Sequence, residues 1–287
     1  MLECALRLEE PADAARGGRI EATLGARRTA YAIEAACLGI FMFVAGSVAV
    51  GLRLVPPAVA AAFAAHALLY RLTFGTAMGL TTMAIVYSPW GRRSGAHINP
   101  AVTLTYALLG KIAPRDAAFY VLAQFGGAAL GLALLATMVS AVLAQPSIHY
   151  VVTKPGTAGA AGAFAGELAI SFVLMSVILR VSNSARFARF TGVCAGLLVA
   201  VFVTVEAPLS GTSMNPARTF ASALAAHDWT ALWIYFTAPP LGMGAAALLY
   251  VRSYGMRAVR CAKLYHTGDV PCIFRCGYRT PREETHG

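Results

Sequence analysis

The stretch that decides the fold occurs twice: SGAHINPAVT runs from Ser94 to Thr103, and SGTSMNPART runs from Ser210 to Thr219. The two decapeptides agree at six of ten positions and start 116 residues apart, each inside a strongly apolar part of the chain. Two unrelated segments rarely agree so closely. The pattern therefore predicts that the chain contains two copies of one structural unit.

The composition indicates a membrane protein. Of the 287 residues, 58% are hydrophobic and only 13% are charged, against roughly 45–50% and about 25% in an average soluble domain. A bilayer core of about 30 Å needs roughly 20 helical residues to cross it. Six apolar stretches fit that length, at about residues 29–52, 68–88, 116–143, 163–181, 190–205 and 230–251. Residues 56–70 are also apolar, and the sequence leaves open whether they extend the second helix or form an external loop.

The basic residues predict the orientation of the bundle. If six helices place both termini on one side, that side receives nineteen of the 23 Lys and Arg residues. Because Lys and Arg in short loops accumulate on the cytoplasmic face, both termini are expected to be cytoplasmic and the chain a multi-pass protein of the cell membrane. The net charge of +10 is spread over loops and tails without a nucleic-acid-binding motif, so no nucleic acid is expected as a partner.

Three segments are predicted along the chain. Residues 1–28 mix acidic and basic residues without an apolar centre, so they are expected to form a cytoplasmic tail rather than a signal peptide. Residues 29–251 would form the membrane domain, with repeats at about 29–143 and 163–251. Residues 252–287 would form a second cytoplasmic tail that is basic and contains Cys and His.

The two decapeptides occupy equivalent places in the two repeats. Each follows the second helix of a three-helix unit, and an odd number of helices makes the second unit enter the membrane from the opposite side, which gives an inverted repeat. Glu34 and Glu167 lie in the first helices of the two units. Ionisable groups within a membrane usually face the protein interior, so both are expected to be buried structural residues.

The Asn-Pro-Ala triplets predict two helix starts. Asn is a strong N-cap and Pro fits the first helical position, and each helix would run for about ten residues, or about 15 Å. Two such half-helices could meet at the middle of the membrane, where irregular backbone is tolerated only in protein or beside a watery cavity. The expected fold is therefore an all-α membrane protein with six transmembrane helices, two half-helices and a pore.

The paired motifs resemble the signature loops of the aquaporin, or major intrinsic protein, family. The resemblance covers about residues 29–251 and implies a homotetramer in a lipid bilayer, with one pore in each protomer. It implies that both Asn residues donate to a passing water, and that the helix N-termini repel protons and cations. The motif residues are Asn99, Pro100, Ala101, Asn215, Pro216 and Ala217.

The resemblance also assigns a constriction and a line of pore carbonyls. Arg218 matches the arginine of the family's outer constriction, and spacing within the motif adds Thr212, Val203 and Met78, or Gly79 if the loop before Ser94 carries no extra residue. Gly95, Ala96 and His97 would line the pore on the cytoplasmic side. Their backbone carbonyls would offer acceptors to water there.

The expected permeant is water, with glycerol, ammonia or hydrogen peroxide as alternatives. Water-selective members usually carry His and an aromatic residue where Val203 and Met78 stand, whereas Thr219 departs from the Asp of glycerol-selective members. Tyr235 and Phe236 occupy a pair that is aromatic in water channels. The scaffold thus resembles a water channel, while the constriction is atypical.

Other functions are less favoured by the sequence. A secondary transporter also uses inverted repeats, but it needs coupling-ion or substrate ligands, and the pore motifs carry a single charge. Within the bundle the sequence offers no nucleophile–base set, so neither an enzyme nor a cofactor is expected. A Cys/His cluster in the second tail is a candidate metal site, but its spacing matches no standard zinc signature, and reduced thiols are the default. Its members are Cys261, His266, Cys272 and Cys276.

Overall fold

The computed structural model describes residues 24–266, 270 and 272–277, and all regular elements among these residues are helical. Short 3₁₀ turns lie at His149–Val151, Ala188–Phe190 and Met256–Ala258. The α-helices are α1 (Leu24–Arg53), α2 (Pro57–Ala65), α3 (Ala67–Tyr87), α4 (Pro89–Ser94), α5 (Pro100–Leu108), α6 (Pro114–Leu143), α7 (Gly159–Ser182), α8 (Thr191–Val205), α9 (Ala207–Ser210), α10 (Pro216–Ala226) and α11 (Leu232–Tyr254).

The predicted all-α membrane fold is confirmed. Five segments of the described chain are long and apolar enough to cross a bilayer, namely those of α1, α6, α7, α8 and α11. The pair α2 and α3, which bends by 106° between its two helices, counts as a sixth span when the two are taken together. Residues 56–70, which the sequence left open, are thus divided between a separate helix and the start of the next span. No residue of α2 is buried in the protein.

Glycines bring the spanning helices into close contact. A Cβ atom at Gly127 would overlap the carbonyl oxygen of Ala35, where α6 crosses α1. Gly79 and Gly196 face each other in the same way where α3 crosses α8. Because lipid tails are as apolar as the helix surfaces, helices in a membrane associate largely through such close backbone packing. The small residues therefore fix how closely the spans surround the centre of the bundle.

The two half-helices, α5 and α10, begin at the predicted triplets. Each has Pro in its first turn and an Asn N-cap, Asn99 for α5 and Asn215 for α10. Their 9 and 11 residues correspond to about 14 and 17 Å. End to end they match the thickness of one bilayer core, as expected for two short helices that together replace one span.

The ends of the described chain lie on the same face of the bundle. Arg27, near the start of α1, forms an ion pair of 2.9 Å with Asp116 at the start of α6. The backbone N–H of Arg275, close to the other end, donates to the carbonyl of Lys111 in the loop between α5 and α6. The even number of spans produces this arrangement. On the opposite face, Asp228 pairs with Lys154 and with His149.

The tails differ in part from their predicted extents. Helix α1 begins at Leu24, five residues before the predicted membrane domain, so residues 24–28 belong to the first span's helix. The rest of the predicted N-terminal tail, residues 1–23, lies outside the described residues. The described part of the second tail packs against the bundle, since Val259, Ala262 and Leu264 are buried.

Candidate functional site

A cavity lies at the centre of the bundle, between the two motif loops. It has about 100 Å³ of space open to the centres of water molecules. A single water needs about 10–15 Å³ of such space, so the cavity has room for several waters in a row. Its lining is largely apolar, and the polar groups come mainly from the two motif loops. Among the lining residues are Met78, Ala96, His97, Ile98, Asn99, Val203, Thr212, Met214, Asn215, Arg218 and Leu264.

The two motif asparagines meet in the middle of this cavity. The side-chain oxygen of Asn99 accepts from the backbone N–H of Ala101 at 2.8 Å, and that of Asn215 accepts from Ala217 and Arg218 at 3.1 and 3.3 Å. Both oxygens are thereby occupied by capping. The side-chain NH₂ groups remain as donors, as the resemblance implied.

Each asparagine also binds the opposite loop, which the sequence analysis did not foresee. The Nδ2 atom of Asn99 donates to the carbonyl of Met214 at 2.7 Å, and Nδ2 of Asn215 donates to the carbonyl of Ile98 at 2.8 Å. An amide NH₂ has two hydrogens, so one hydrogen of each asparagine is left for the lumen. These reciprocal bonds hold the tips of the two half-helices together.

The loops before the asparagines have a repeated, strained backbone. Ala96 and Ile98 have φ values of 54° and 41°, and the equivalent Thr212 and Met214 have 52° and 54°. Left-handed backbone is unfavourable for residues that carry a Cβ atom. In each loop the two left-handed residues are separated by one residue whose φ is not positive. The same conformation in both loops is the structural counterpart of the sequence repeat.

Two buried carboxylates hold these strained loops. Glu34 accepts from the backbone N–H groups of His97 and Ile98 at 3.1 and 2.6 Å. Glu167 accepts in the same way from Ser213 and Met214 at 2.6 and 2.7 Å. Both glutamates have no exposed surface. They lie where a buried structural role was expected, and the backbone N–H groups explain why a carboxylate is tolerated there.

Two buried tyrosines support the same loops from the third helix of each repeat. Tyr120 of α6 donates to the carbonyl of Ser94 at 2.7 Å, and Tyr235 of α11 donates to the carbonyl of Ser210 at 2.5 Å. Tyr120 was not identified from the sequence, although its equivalence to Tyr235 in the inverted repeat could have indicated it. The role of Tyr235 is therefore to hold a loop.

The four constriction candidates all line the cavity. Met78, Val203, Thr212 and Arg218 contribute to its wall. Gly79, the alternative to Met78, lies instead against Gly196 of α8. The position of Met78 agrees with the alignment in which the loop before Ser94 carries one extra residue.

Arg218 is fixed by a residue that the sequence did not indicate. Its Nη1 atom donates to the hydroxyl of Thr153 at 2.7 Å, and Thr153 is in turn 2.9 Å from the hydroxyl of Thr219. Arg218 is 9% exposed. A guanidinium held in this way keeps a constant position in the cavity wall with its remaining donors available.

A third buried carboxylate, Glu206, lies beside the constriction. Its Oε2 atom accepts from the hydroxyls of Thr212 and Ser210 at 2.6 and 2.9 Å. Because the hydroxyl hydrogen of Thr212 is donated to Glu206, this side chain can offer only an acceptor to the lumen. Glu206 was not among the predicted site residues, since it precedes the repeated motif.

At the end of the cavity near the C-terminal residues, Ala96 and His97 line the wall, whereas Gly95 is not among the lining residues. The carbonyl of Gly95 accepts from the backbone N–H of Leu264 at 3.1 Å, and Leu264 itself lines the cavity. The ring nitrogens of His97 lie 3.1 Å from the hydroxyl of Thr103 and 2.8 Å from the carbonyl of Ala262. The second tail thus supplies part of the pore wall that was assigned to Gly95.

The Cys/His candidates lie together close to this end of the cavity. The ligand atoms of Cys261, His266, Cys272 and Cys276 are all within 4.8 Å of one another. These are the four residues that the sequence analysis named as a candidate metal site, although their spacing matched no standard signature.

Comparison with known proteins agrees with this architecture. The profile of the family described as major intrinsic protein matches residues 26–250. The chain is similar to a probable aquaporin NIP-type from Nicotiana alata, with 36% identity over 173 residues that cover 60% of this chain and 62% of that protein. It is also 37% identical to aquaporin NIP1-3 from Oryza sativa subsp. japonica, over 60% of this chain and 58% of the relative. The matched part thus spans less than two thirds of these relatives.

The fold is also similar to a solved structure, the aquaglyceroporin from Plasmodium falciparum. The TM-score is 0.65, the sequence identity is 20%, and the match covers 78% of this chain and 95% of that one. At this identity the likeness concerns the fold alone.

Proposed function

Since the chain belongs to the major intrinsic protein family, we propose that it forms a passive water channel that excludes protons and ions. Proteins of this family are channels and not enzymes. The observation that carries the proposal is the cavity itself, with one free hydrogen on each of Asn99 and Asn215 at the junction of two half-helices.

The central junction supports selectivity against protons. A water at this point accepts from both asparagines, so its own hydrogens point outward along the two halves of the pore. A water with that orientation interrupts a continuous proton relay. The N-termini of α5 and α10 add positive partial charge at the same place, which opposes hydronium and other cations.

The constriction supports selectivity against charged solutes. Arg218 carries a fixed positive charge in the cavity wall, anchored to Thr153. Thr212 adds a hydrogen-bond acceptor to this wall, whereas Met78 and Val203 add apolar side chains. Water can form its hydrogen bonds with the polar groups of this wall, and it needs no contact with the apolar side chains.

A small neutral polyol such as glycerol is the second candidate permeant. The specific observation is that the cavity wall combines the polar groups with four apolar side chains, those of Met78, Val203, Phe41 and Phe74. A molecule with a carbon backbone and hydroxyls on one side matches such a wall. The relatives are aquaporins by name, which does not distinguish the two permeants.

The orientation, organisation and assembly belong to the same proposal. The face that carries both ends of the described chain also carries Arg27, Lys111 and Arg275, and by the positive-inside rule it is cytoplasmic. We propose a membrane domain flanked by two cytoplasmic tails. We also propose a homotetramer, which the family resemblance implies. Cysteine-accessibility labelling of each loop in intact cells would test the orientation, and cross-linking in the membrane would test the assembly.

Parallel water and glycerol permeabilities in the same proteoliposomes test the channel. After an osmotic jump, light scattering should report fast shrinkage with a low activation energy. Shrinkage at the rate of protein-free liposomes would contradict a channel. If glycerol entered the liposomes as fast as water left them, the preferred permeant would be glycerol and not water.

A further inference from the structure

Four metal-ligating side chains converge outside the pore, at its cytoplasmic end. The C-terminal segment, defined here as residues 255–277, contributes all of them, and its described residues are 255–266, 270 and 272–277. The ligand order is Cys-x₄-His-x₅-Cys-x₃-Cys, and the four ligand atoms lie within 4.8 Å of one another. They are Cys261, His266, Cys272 and Cys276.

The distances match the edges of a small tetrahedron. The sulfur atoms of Cys261 and Cys272 are 3.5 Å apart, and the sulfur of Cys276 lies 3.2 Å from Nε2 of His266. With Zn–S bonds of about 2.3 Å and Zn–N bonds of about 2.0–2.1 Å, a tetrahedral site has S–S edges of about 3.8 Å and S–N edges of about 3.6 Å. Small outward shifts of these side chains would accommodate one ion.

The ligand set selects the kind of metal. Three thiolates and one imidazole are soft or borderline donors, which favour Zn²⁺ and disfavour Mg²⁺ or Ca²⁺, ions that prefer oxygen ligands. Four protein ligands leave no open coordination position, and such closed sites are structural rather than catalytic.

Neighbouring groups suit a negatively charged zinc–thiolate centre. Three thiolates with one Zn²⁺ carry a net charge of −1. Lys111 interacts electrostatically with Cys261 and Cys276, and Lys263 interacts with Cys272. The backbone N–H of Lys263 also approaches the sulfur of Cys261 at 3.5 Å. Such outer contacts orient ligands and stabilise their charge.

The segment that carries these ligands has little regular structure to hold it in place. Its one regular element among the described residues is the 3₁₀ turn at Met256–Ala258. It is nevertheless buried against the pore mouth, where the ring of Phe274 stacks on that of His97 at 5.3 Å and Leu264 lines the cavity. A chain that buries apolar side chains without helices or strands commonly needs a metal or a disulfide to fix it.

We propose that Cys261, His266, Cys272 and Cys276 bind one structural Zn²⁺, which fastens the C-terminal segment over the cytoplasmic mouth of the pore. The ion joins the part of the segment that contacts Gly95 and His97 to the part that contacts Lys111. It thereby keeps Leu264 and Phe274 at the end of the cavity.

Metal content of the full-length protein tests the site. The chain is expressed in zinc-supplemented medium, purified in detergent without chelator and analysed by mass spectrometry of the elements. We expect one zinc per chain in the unmodified protein and in the control Cys194→Ala, which changes a cysteine of α8 outside the cluster. Cys272→Ser should lose the zinc, whereas His266→Cys, which keeps four soft ligands, should retain it.

Two further results guard against a folding artefact. Cobalt added to chelator-treated protein should produce the visible absorption of tetrahedral thiolate-bound Co²⁺, and this absorption should be missing in Cys272→Ser. Unmodified protein that carries no more zinc than Cys272→Ser and shows no cobalt absorption overturns the site. A mass lower by two hydrogens without reductant, with Cys261 and Cys272 linked, would also overturn it in favour of a disulfide.

Hydrogen exchange tests the fastening. Removal of zinc by a chelator should strongly increase exchange at the backbone N–H groups of Leu264 and Arg275, which bond to Gly95 and Lys111. Exchange in α5 should stay unchanged as an internal control. Equal protection with and without zinc would overturn the fastening. Neither readout depends on transport, so both remain valid if the proposed channel activity fails.

Discussion

Asn99 and Asn215 each perform three tasks with a single side chain. The oxygen caps a half-helix, one amide hydrogen binds the opposite loop, and the other hydrogen faces the lumen. Aspartate would keep the cap and lose both donors, and Ser or Thr would lose the reach to the opposite loop. The side chain of Asn is therefore required by the geometry of the junction and not only by the helix start.

Replacement of Asn215 by Leu should reduce water permeability by up to about tenfold per channel. The loss of one hydrogen bond to water raises the free-energy barrier to its passage by about 0.5–1.5 kcal/mol. A barrier higher by this amount lowers the permeability by up to about tenfold. The measurement is osmotic shrinkage of proteoliposomes with equal amounts of protein. Ser222→Ala in the same half-helix removes a hydroxyl that bonds only to carbonyls of its own helix, and it should leave the permeability unchanged. Unchanged flux in Asn215→Leu would contradict the central role of the asparagine.

Replacement of Arg218 by Val should raise glycerol permeability several-fold relative to water. The change removes both the volume and the charge that Thr153 fixes in the cavity wall. Arg218→Lys serves as a matched control, because it keeps the charge without the planar set of donors. Its permeability ratio should lie between those of the other two proteins. An unaltered ratio in Arg218→Val would locate the constriction elsewhere.

At the scale of elements, the inverted repeat explains which features occur in pairs. Glu34 and Glu167 come from α1 and α7, and Tyr120 and Tyr235 come from α6 and α11. Each pair bonds the equivalent loop in its own repeat. Glu206 has no such partner, since Trp90 stands at the equivalent distance before Asn99. The two halves of the molecule therefore differ chemically at this position.

Two adjacent glycines of α6 allow a sharp test of helix packing. A Cβ atom at Gly127 would overlap the carbonyl of Ala35, whereas one at Gly126 would meet no atom within 4 Å. We expect Gly127→Ala to lower the free energy of unfolding by about 1–3 kcal/mol, the usual cost of overpacking. Gly126→Ala should leave it unchanged or slightly higher, because Ala favours a helix. Thermal midpoints in detergent measure the difference, and equal midpoints would contradict the close contact between α1 and α6.

Helix α2 shows what pattern alone could not decide at this scale. Its nine residues are almost all small and apolar, with no polar face to give a helical phase. Such a segment fits a longer span and an external helix equally well. The bend between α2 and α3 is 106°, and α3 packs against α8, which is a contact between segments far apart in the sequence.

At the scale of the whole molecule, the C-terminal segment and the membrane domain form one pore wall. Leu264 lines the cavity beside residues of the first motif loop. The tail that composition predicted as a separate cytoplasmic region thus lines part of the central cavity.

Replacement of Leu264 by Ala should increase water permeability several-fold. The smaller side chain widens the end of the cavity that the C-terminal segment lines, without removing the backbone bond to Gly95. Tyr265→Phe is the control, since it keeps the ring that packs on Tyr87 at 5.0 Å. Stopped-flow shrinkage at equal protein density measures both variants. Unchanged or lower permeability in Leu264→Ala would show that this end of the cavity does not limit flow.

The sequence by itself determined the class of fold, the number of spans, the repeat and the starts of both half-helices. These follow from local physics: apolar length sets a span, and Asn followed by Pro sets a helix start. The tertiary structure alone decided the bonds between the two loops, the partner of Arg218, the role of Tyr120 and the convergence of Cys261, His266, Cys272 and Cys276. Each of these joins segments that are distant in the chain or lack regular structure. Their contacts depend on how the helices pack around the pore, and no local pattern encodes that.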